Sequence, residues 1–151
     1  MPRGSRRLPD ECLRLLAASD LILHAGDVVA ASVLDELRAL AQVHAVHGNM
    51  DEPALKAALP ETRVVEVAGA RIGLVHDPGA AAGRAERLAA RFPGCDAVVY
   101  GHTHLPEVTR PGSVWILNPG SPTERRRAPN RTMIVLEVAE NRLEPRLAEL
   151  T

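Results

Sequence analysis

The residues best suited to chemistry are His102 and His104, one residue apart in Tyr100-Gly101-His102-Thr103-His104 and directly after the apolar run Ala97-Val98-Val99. Neutral imidazole is the commonest side-chain metal ligand. Gly101 permits the tight turn that would aim both rings at one point. Alone, the pair reads equally well as two surface-loop histidines, so the weight falls on three further runs that close in the same manner. Leu21-Ile22-Leu23 runs into His24-Ala25-Gly26-Asp27, residues 43–46 into His47-Gly48-Asn49, and residues 72–75 into His76. In open α/β sheets ligands bind beyond the carboxyl ends of the strands, so Asp27, Asn49, His76, His102 and His104 are expected on one rim. One such ending is ordinary turn chemistry; four of them, bearing Asp, Asn and three His beside Gly26, Gly48 and Gly101, are too many for turns alone.

Oxygen and imidazole donors without thiolate make a borderline-hard set, suited to Mn, Fe, Zn, Ni or Mg rather than copper(I) or an iron–sulfur cluster. A carboxylate can bridge two cations through its two oxygens, which one imidazole cannot do, so Asp27 is the bridging candidate. Two ions about 3.5 Å apart can hold a hydroxide between them and clamp the oxygens of an in-line phosphoryl displacement.

The elements that must position these groups follow from periodicity. Pro9-Asp10-Glu11 opens a helix with acidic residues in its first turn and Leu13, Leu15 and Leu16 on its apolar side, ending near Ser19-Asp20. Leu21-Ile22-Leu23 is the continuous apolar run of a strand buried on both faces. Residues 31–40 carry Val33, Leu34, Leu37 and Leu40 at helical spacing, residues 43–46 form the next strand, and Asp51-Glu52-Pro53 starts a short helix closed by Pro60. Residues 64–67 and 71–75 flank Ala68-Gly69-Ala70 as a hairpin, 80–91 form an alanine-rich helix ended by Pro93-Gly94, and 97–100 form a strand. Beyond it the pattern is all strand, over 107–110, 114–117, 132–138 and 142–147. Strands alternating with helices, then a block of hairpins, argue a single α/β domain over 1–151 with mixed sheets packed between helices.

A chain of 151 residues can bury one real core, and with 46% hydrophobic but only 2% aromatic residues that core is built from Val, Leu, Ile and Ala. Stacking platforms for bases are nearly absent. The 18 basic and 19 acidic residues, net charge −1, leave no field to gather nucleic acid or an anionic membrane. Cys12 and Cys95 suggest neither a disulfide framework nor a zinc knuckle. No run approaches a membrane span, and the basic N-terminus lacks the apolar stretch of a signal peptide. The expectation is a cytoplasmic protein with no nucleic-acid or membrane partner and room for a homo-oligomer.

Taken in order, Gly26-Asp27, Gly48-Asn49, His76, Gly101-His102-Thr103-His104 and Asn118-Pro119-Gly120-Ser121 resemble the calcineurin-like metallophosphoesterase superfamily, in particular its small single-domain bacterial and archaeal phosphodiesterases. The resemblance implies a four-layer α/β/β/α sandwich of two mixed sheets and two divalent metal ions, manganese foremost. Carried over residue by residue, Asp27 bridges the metals, Asn49, His76 and His102 complete one site, and His104 belongs to the other. Asn49, Asp27 and His102 are the implied catalytic residues, with a metal-bound hydroxide attacking phosphorus and Asn49 stabilising charge on the phosphoryl oxygens.

The chain departs from the family twice. Relatives begin with a strand ending in Asp-x-His, which binds the other metal, and nothing like it precedes Asp27; Met1-Pro2-Arg3-Gly4 looks like the loop that would follow. Either Met1 is internal to a longer product or the product lacks the strand. The first is preferred, because missing a central strand leaves its neighbours with unpaired edges. With Asp27 and His104 alone, the second metal is expected to be weakly bound or absent. Met50 stands where many relatives carry a histidine thought to protonate the leaving group; it reads as a gap-filling side chain near the rim, Asp51 has no obvious partner, and aryl or other activated phosphodiesters are the expected substrates. Asp77 is read as the acceptor orienting His76. His24, His44 and His47 are read as structural histidines, His47 being the one best placed to be an exception, and Arg125-Arg126-Arg127 with Arg131 as a phosphate-facing or simply solvated loop. The rival reading is a non-catalytic protein-binding scaffold of the same fold, as a retromer subunit of this superfamily is; the missing Asp-x-His favours it, and the intact Asn49, His76, His102 set opposes it.

Overall fold

Where the hydrophobic period changes along the chain, the backbone changes with it. The computed structural model describes residues 7–140 and 142–150. Its elements run α1 (Asp10–Ala17), β1 (Leu21–His24), α2 (Ala31–Arg38), β2 (Gln42–Ala45), α3 (Pro53–Ala58), β3 (Thr62–Val67), β4 (Ala70–Val75), α4 (Arg84–Arg91), β5 (Ala97–Tyr100), β6 (Glu107–Thr109), β7 (Trp115–Asn118), β8 (Arg131–Ala139) and β9 (Arg142–Leu150). One helix differs from its sequence reading. Residues 80–83 are not helical, because Gly83 takes a left-handed backbone (φ 67°) ahead of α4. Arg87 instead bonds back to the carbonyls of Pro78, Ala80 and Ala82, satisfying the loop from within the helix.

The main sheet is mixed and five-stranded, in the order β3-β4-β5-β7-β6. β3 and β6 are antiparallel to their neighbours, while β4, β5 and β7 run parallel. β1 and β2 form a separate parallel pair, and β8 and β9 a long antiparallel ribbon from Arg131↔Leu150 to Ala139↔Arg142.

Side-chain alternation along β5 assigns the layers. Val98 and Tyr100 point to α4, packing with Leu88, Phe92 and Ile116. Gly73 lies on that face, where a Cβ would come within 2.6 Å of the Phe92 ring. Ala97 and Val99 point the other way, to Leu23 of β1 and to Ile134 and Leu136 of β8. On the far side of β1 and β2, Cys12 and Leu37 bring in α1 and α2 with Ile22 and Leu150. The order is therefore helices, the β1-β2 and β8-β9 pairs, the five-stranded sheet, and α4. Parallel β1, β2, β4 and β5 deliver their carboxyl ends to one rim.

Candidate metal centre

His76, directly after β4 and 5% exposed, is the hub of that rim. Its Nδ1 donates to the Ala25 carbonyl at 2.8 Å and its Nε2 faces inward, where an imidazole protonated only at Nδ1 presents a lone pair. Around Nε2 stand Asn49 Oδ1 at 2.8 Å, His102 Nδ1 at 3.3 Å and Asp27 Oδ2 at 3.4 Å. Two of these neighbours are acceptors facing a third acceptor, which neutral hydrogen bonding does not resolve and a divalent cation does. Donors sharing one ion at bond lengths of about 2.1 Å stand about 3.0–3.4 Å apart, close to these separations. Each contact is made to His76, however, and among the described residues no three His, Cys, Asp or Glu side chains form a ready cluster for a cation. Holding an ion therefore requires Asp27, Asn49 and His102 to turn from the His76 nitrogen toward a shared centre.

The loops that carry these groups are locked to one another. Asp27 Oδ1 accepts the Met50 N–H at 2.7 Å, and the Asp51 carboxylate accepts the N–H of Val29 at 2.6 Å and of Gly48 at 2.7 Å. Glu52 N–H adds a bond to the Val29 carbonyl at 3.1 Å. The loops after β1 and β2 thus form one body. Gly48 is required by the closeness: a Cβ there would overlap the Asp27 carboxylate and come within 2.5 Å of the Asp27 nitrogen. At Gly26 a Cβ would come within 2.6 Å of His76 Nδ1. Asp27 (φ 58°), Val29 (φ 79°), His102 (φ 69°) and His104 (φ 59°) all adopt left-handed backbone without being glycine. Strain of this kind persists only where surrounding contacts over-determine it, and it collects at functional sites.

His104 is held differently. Its Nδ1 is buried without a hydrogen-bond partner and lies 4.0 Å from Glu124 Oε2, itself 3.7 Å from Arg126. Burial, then the nearby Arg126 charge, lowers its pKa. The turn bearing both histidines is braced from β7: Asn118, fully buried, donates to Thr103 Oγ1 at 2.9 Å and to the Gly101 carbonyl at 3.4 Å, and its Oδ1 accepts the Gly120 N–H at 2.9 Å. Sequence reasoning assigned no role to Asn118 or Glu124; the Asn ending of β7, a fifth polar strand end, was the available signal for the first.

Three secondary readings are corrected. Asp77 does not orient His76: it is exposed and accepts the Gly79 N–H at 2.9 Å, closing its own turn, and a backbone carbonyl does the orienting. Asp51 is not partnerless, as the two backbone bonds above show. Met50 fills no gap, being 43% exposed at the rim. His24 is structural, accepting the Gly26 N–H at 3.1 Å, with burial pushing its pKa down to about 3. His44 meets Arg63 at 3.2 Å, and Arg125 bonds the Pro129 carbonyl of its own loop at 2.9 Å.

Known proteins resemble the chain over most of its length. The calcineurin-like phosphoesterase superfamily domain matches residues 4–141. A probable metallophosphoesterase of Methanocaldococcus jannaschii is 39% identical over 132 residues, covering 85% of this chain and 65% of its own length; the chain thus spans less than two thirds of that relative. A second, from Methanothermobacter thermautotrophicus, is 33% identical over 89% of this chain and 79% of its own. Among solved structures, a Vps29 variant from Entamoeba histolytica superposes with a TM-score of 0.77 at 27% identity, over 100% of this chain and 94% of that one. A Thermotoga maritima protein superposes at 0.72 with 34% identity, over 95% and 88%. On the motifs, the fold and these matches together, the chain belongs to the calcineurin-like phosphoesterase superfamily.

Proposed function

We propose that the rim is a divalent-cation centre for the hydrolysis of phosphodiesters. The convergence of Asp27 Oδ2, Asn49 Oδ1 and His102 Nδ1 on His76 Nε2 carries this reading, supported by the names of the archaeal relatives. Asp27, Asn49, His76 and His102 would hold the first ion, and Asp27 and His104 a weaker second one; Mn is the first candidate, with Fe, Zn, Ni or Mg behind it. A cation there supplies Lewis acidity to a water and to a phosphoryl oxygen. The protein groups do the rest. Asp27, held by the Met50 N–H, keeps one fixed orientation. Asn49, with Oδ1 committed toward His76 and its side chain exposed, has its amide N–H groups to donate to a phosphoryl oxygen where charge develops. Met50 beside it has no proton to give, so the leaving group must depart as a stable anion, which selects aryl or otherwise activated esters.

The test is hydrolysis of bis(p-nitrophenyl) phosphate by metal-stripped protein with and without added Mn2+. Metal-dependent turnover that falls at least about 100-fold in both Asn49→Ala and His76→Ala is expected. Turnover indifferent to those changes would overturn the assignment. A second reading, a binding scaffold of the same fold, draws on the whole-chain likeness to Vps29. It predicts no turnover with any of these metals on any leaving group.

A further inference from the structure

We propose that the loop joining β7 to β8 carries a second ligand site, separate from the metal centre, that binds the phosphate group of a small molecule. A cleft of about 410 Å³ lies there, lined by Thr123, Arg125, Asn130, Arg131 and Leu150. It shares no lining residue with the larger cavity, about 830 Å³, between β1 and β8, whose walls include Asp27, His76, His102 and His104. Alternate residues of the loop serve the two places. Glu124 and Arg126 lie toward the rim, with Glu124 Oε2 4.0 Å from His104 Nδ1 and 3.7 Å from Arg126 Nε, while Thr123 and Arg125 line the cleft.

The cleft is built of donors. Every polar side chain in its lining can donate a hydrogen bond, two of them carry a permanent positive charge, and none of the five residues is acidic. Among the described residues no carboxylate pairs with Arg125 or Arg131, in contrast to Arg126. Thr123 Oγ1 is buried without a hydrogen-bond partner, and a hydroxyl left so is costly to the fold. A merely solvated loop accounts for Arg125 and Asn130, which are exposed, but not for that enclosed hydroxyl or for the part-buried Arg131. An oxyanion satisfies all of them. Two guanidinium forks, an amide and a hydroxyl offer more donors than the two oxygens of a carboxylate can use, and the three terminal oxygens of a phosphate monoester match them better. The volume falls within the range of small-molecule sites, about 300–1,000 Å³, so an organic remainder has room beside Leu150.

The loop is also held in shape before any ligand arrives. At its base Thr132 N–H donates to the Ser121 carbonyl at 3.0 Å and Thr132 Oγ1 to the Pro119 carbonyl at 2.7 Å. Ser121 Oγ accepts the N–H of Glu124 at 3.0 Å and of Thr123 at 3.3 Å, fixing the backbone that presents the buried hydroxyl. Farther along, Ala128 N–H donates to the Arg125 carbonyl at 2.8 Å, and Arg125 Nη1 to the Pro129 carbonyl at 2.9 Å. Arg131 opens β8 opposite Leu150, so its backbone belongs to the ribbon. Little ordering is left to be done on binding, which favours affinity.

The site uses none of the candidate metal ligands, so its failure and that of the phosphoesterase reading are separable. The experiment is proton–nitrogen NMR of the full chain in EDTA, which keeps a cation at the rim from capturing the probe, titrated with glycerol phosphate, inorganic phosphate and acetate. Saturable shifts at the amides of residues 123–125 and 130–131, with a Kd of about 1 mM or tighter, are expected for the phosphates. Affinity should fall about tenfold or more in Arg125→Gln and in Arg131→Gln, and about threefold or more in Thr123→Val. Should Arg131→Gln disturb the ribbon, Arg125→Gln at its exposed position still carries the test. Tighter binding of glycerol phosphate assigns the site to a phosphate ester and tighter binding of inorganic phosphate to the free ion; either supports it. Shifts confined to residues around Asp27, His76 and His102, no saturable shift at all, an affinity unchanged in Arg125→Gln, or acetate bound as tightly as phosphate would overturn it.

Discussion

The two halves of the rim are built to different standards. His76 is buried, its Nδ1 is bonded, its neighbours Asp27 and Asn49 sit on two loops tied by three hydrogen bonds, and glycine stands at 26 and 48 where a side chain would collide. His104, on the turn after β5 that it shares with His102, has a buried ring nitrogen with no hydrogen-bond partner and a carboxylate only at 4.0 Å. The difference follows from what lies beside each. Both halves line the cavity between β1 and β8, which touches His76, His102 and His104 alike, but only the His76 half is braced by the interlocked loops after β1 and β2.

Changes on the two sides therefore have unequal effects. Gly48→Ala should be the most damaging, because the new Cβ meets the Asp27 backbone, which cannot yield as a flexible side chain would. A loss of about 1–3 kcal/mol of stability and of measurable Mn2+ affinity is expected in denaturant melts and calorimetric titration. Asp51→Asn should come next. An amide cannot accept at both positions, so one of the Val29 and Gly48 N–H groups is left facing an N–H2. A stability loss of about 1–3 kcal/mol and a 10–100-fold weaker cation affinity follow. Should Asp51→Asn bind Mn2+ normally, the loops are not what holds the site.

Acid probes both halves at once. His24 (pKa about 3) and His104 (lowered) are both held below the ordinary value of 6.5, chiefly by burial. Their neutral forms are the ones the fold favours, so their contribution is complete above about pH 6.5 and is lost as pH falls toward 3. Melts from pH 8 to pH 4 should be flat and then decline, and His24→Gln should shallow the decline. Smallest of all should be Glu124→Gln, which alters only the loose half: affinity for the first Mn2+ should change less than about threefold. A large loss there would erase the contrast.

Much of this was legible in the chain because polar residues that end apolar runs announce themselves. Asp27, Asn49, His76 and His102 were found by that rule, and the hairpin β3-β4, the parallel strands and the long β8-β9 ribbon by periodicity. Less visible was anything decided by backbone groups from elsewhere. Asp51 gains its partners because Val29 comes to it from the loop after β1 and Gly48 from its own turn, and the acceptor for His76 is a carbonyl 51 residues away, which no side-chain pattern records. Gly83 shortened α4 through one left-handed residue inside an otherwise good helical run. The depth and apolar lining of the cavity between β1 and β8 emerge only from packing.

The central claim is that Asp27, Asn49, His76 and His102 hold a divalent cation, and Mn2+ titration followed by electron paramagnetic resonance reads it directly. The account predicts one tightly held Mn2+ per chain, lost in His76→Ala and retained in His104→Ala. Absence of tight Mn2+ binding, or binding that survives His76→Ala unchanged, would contradict it.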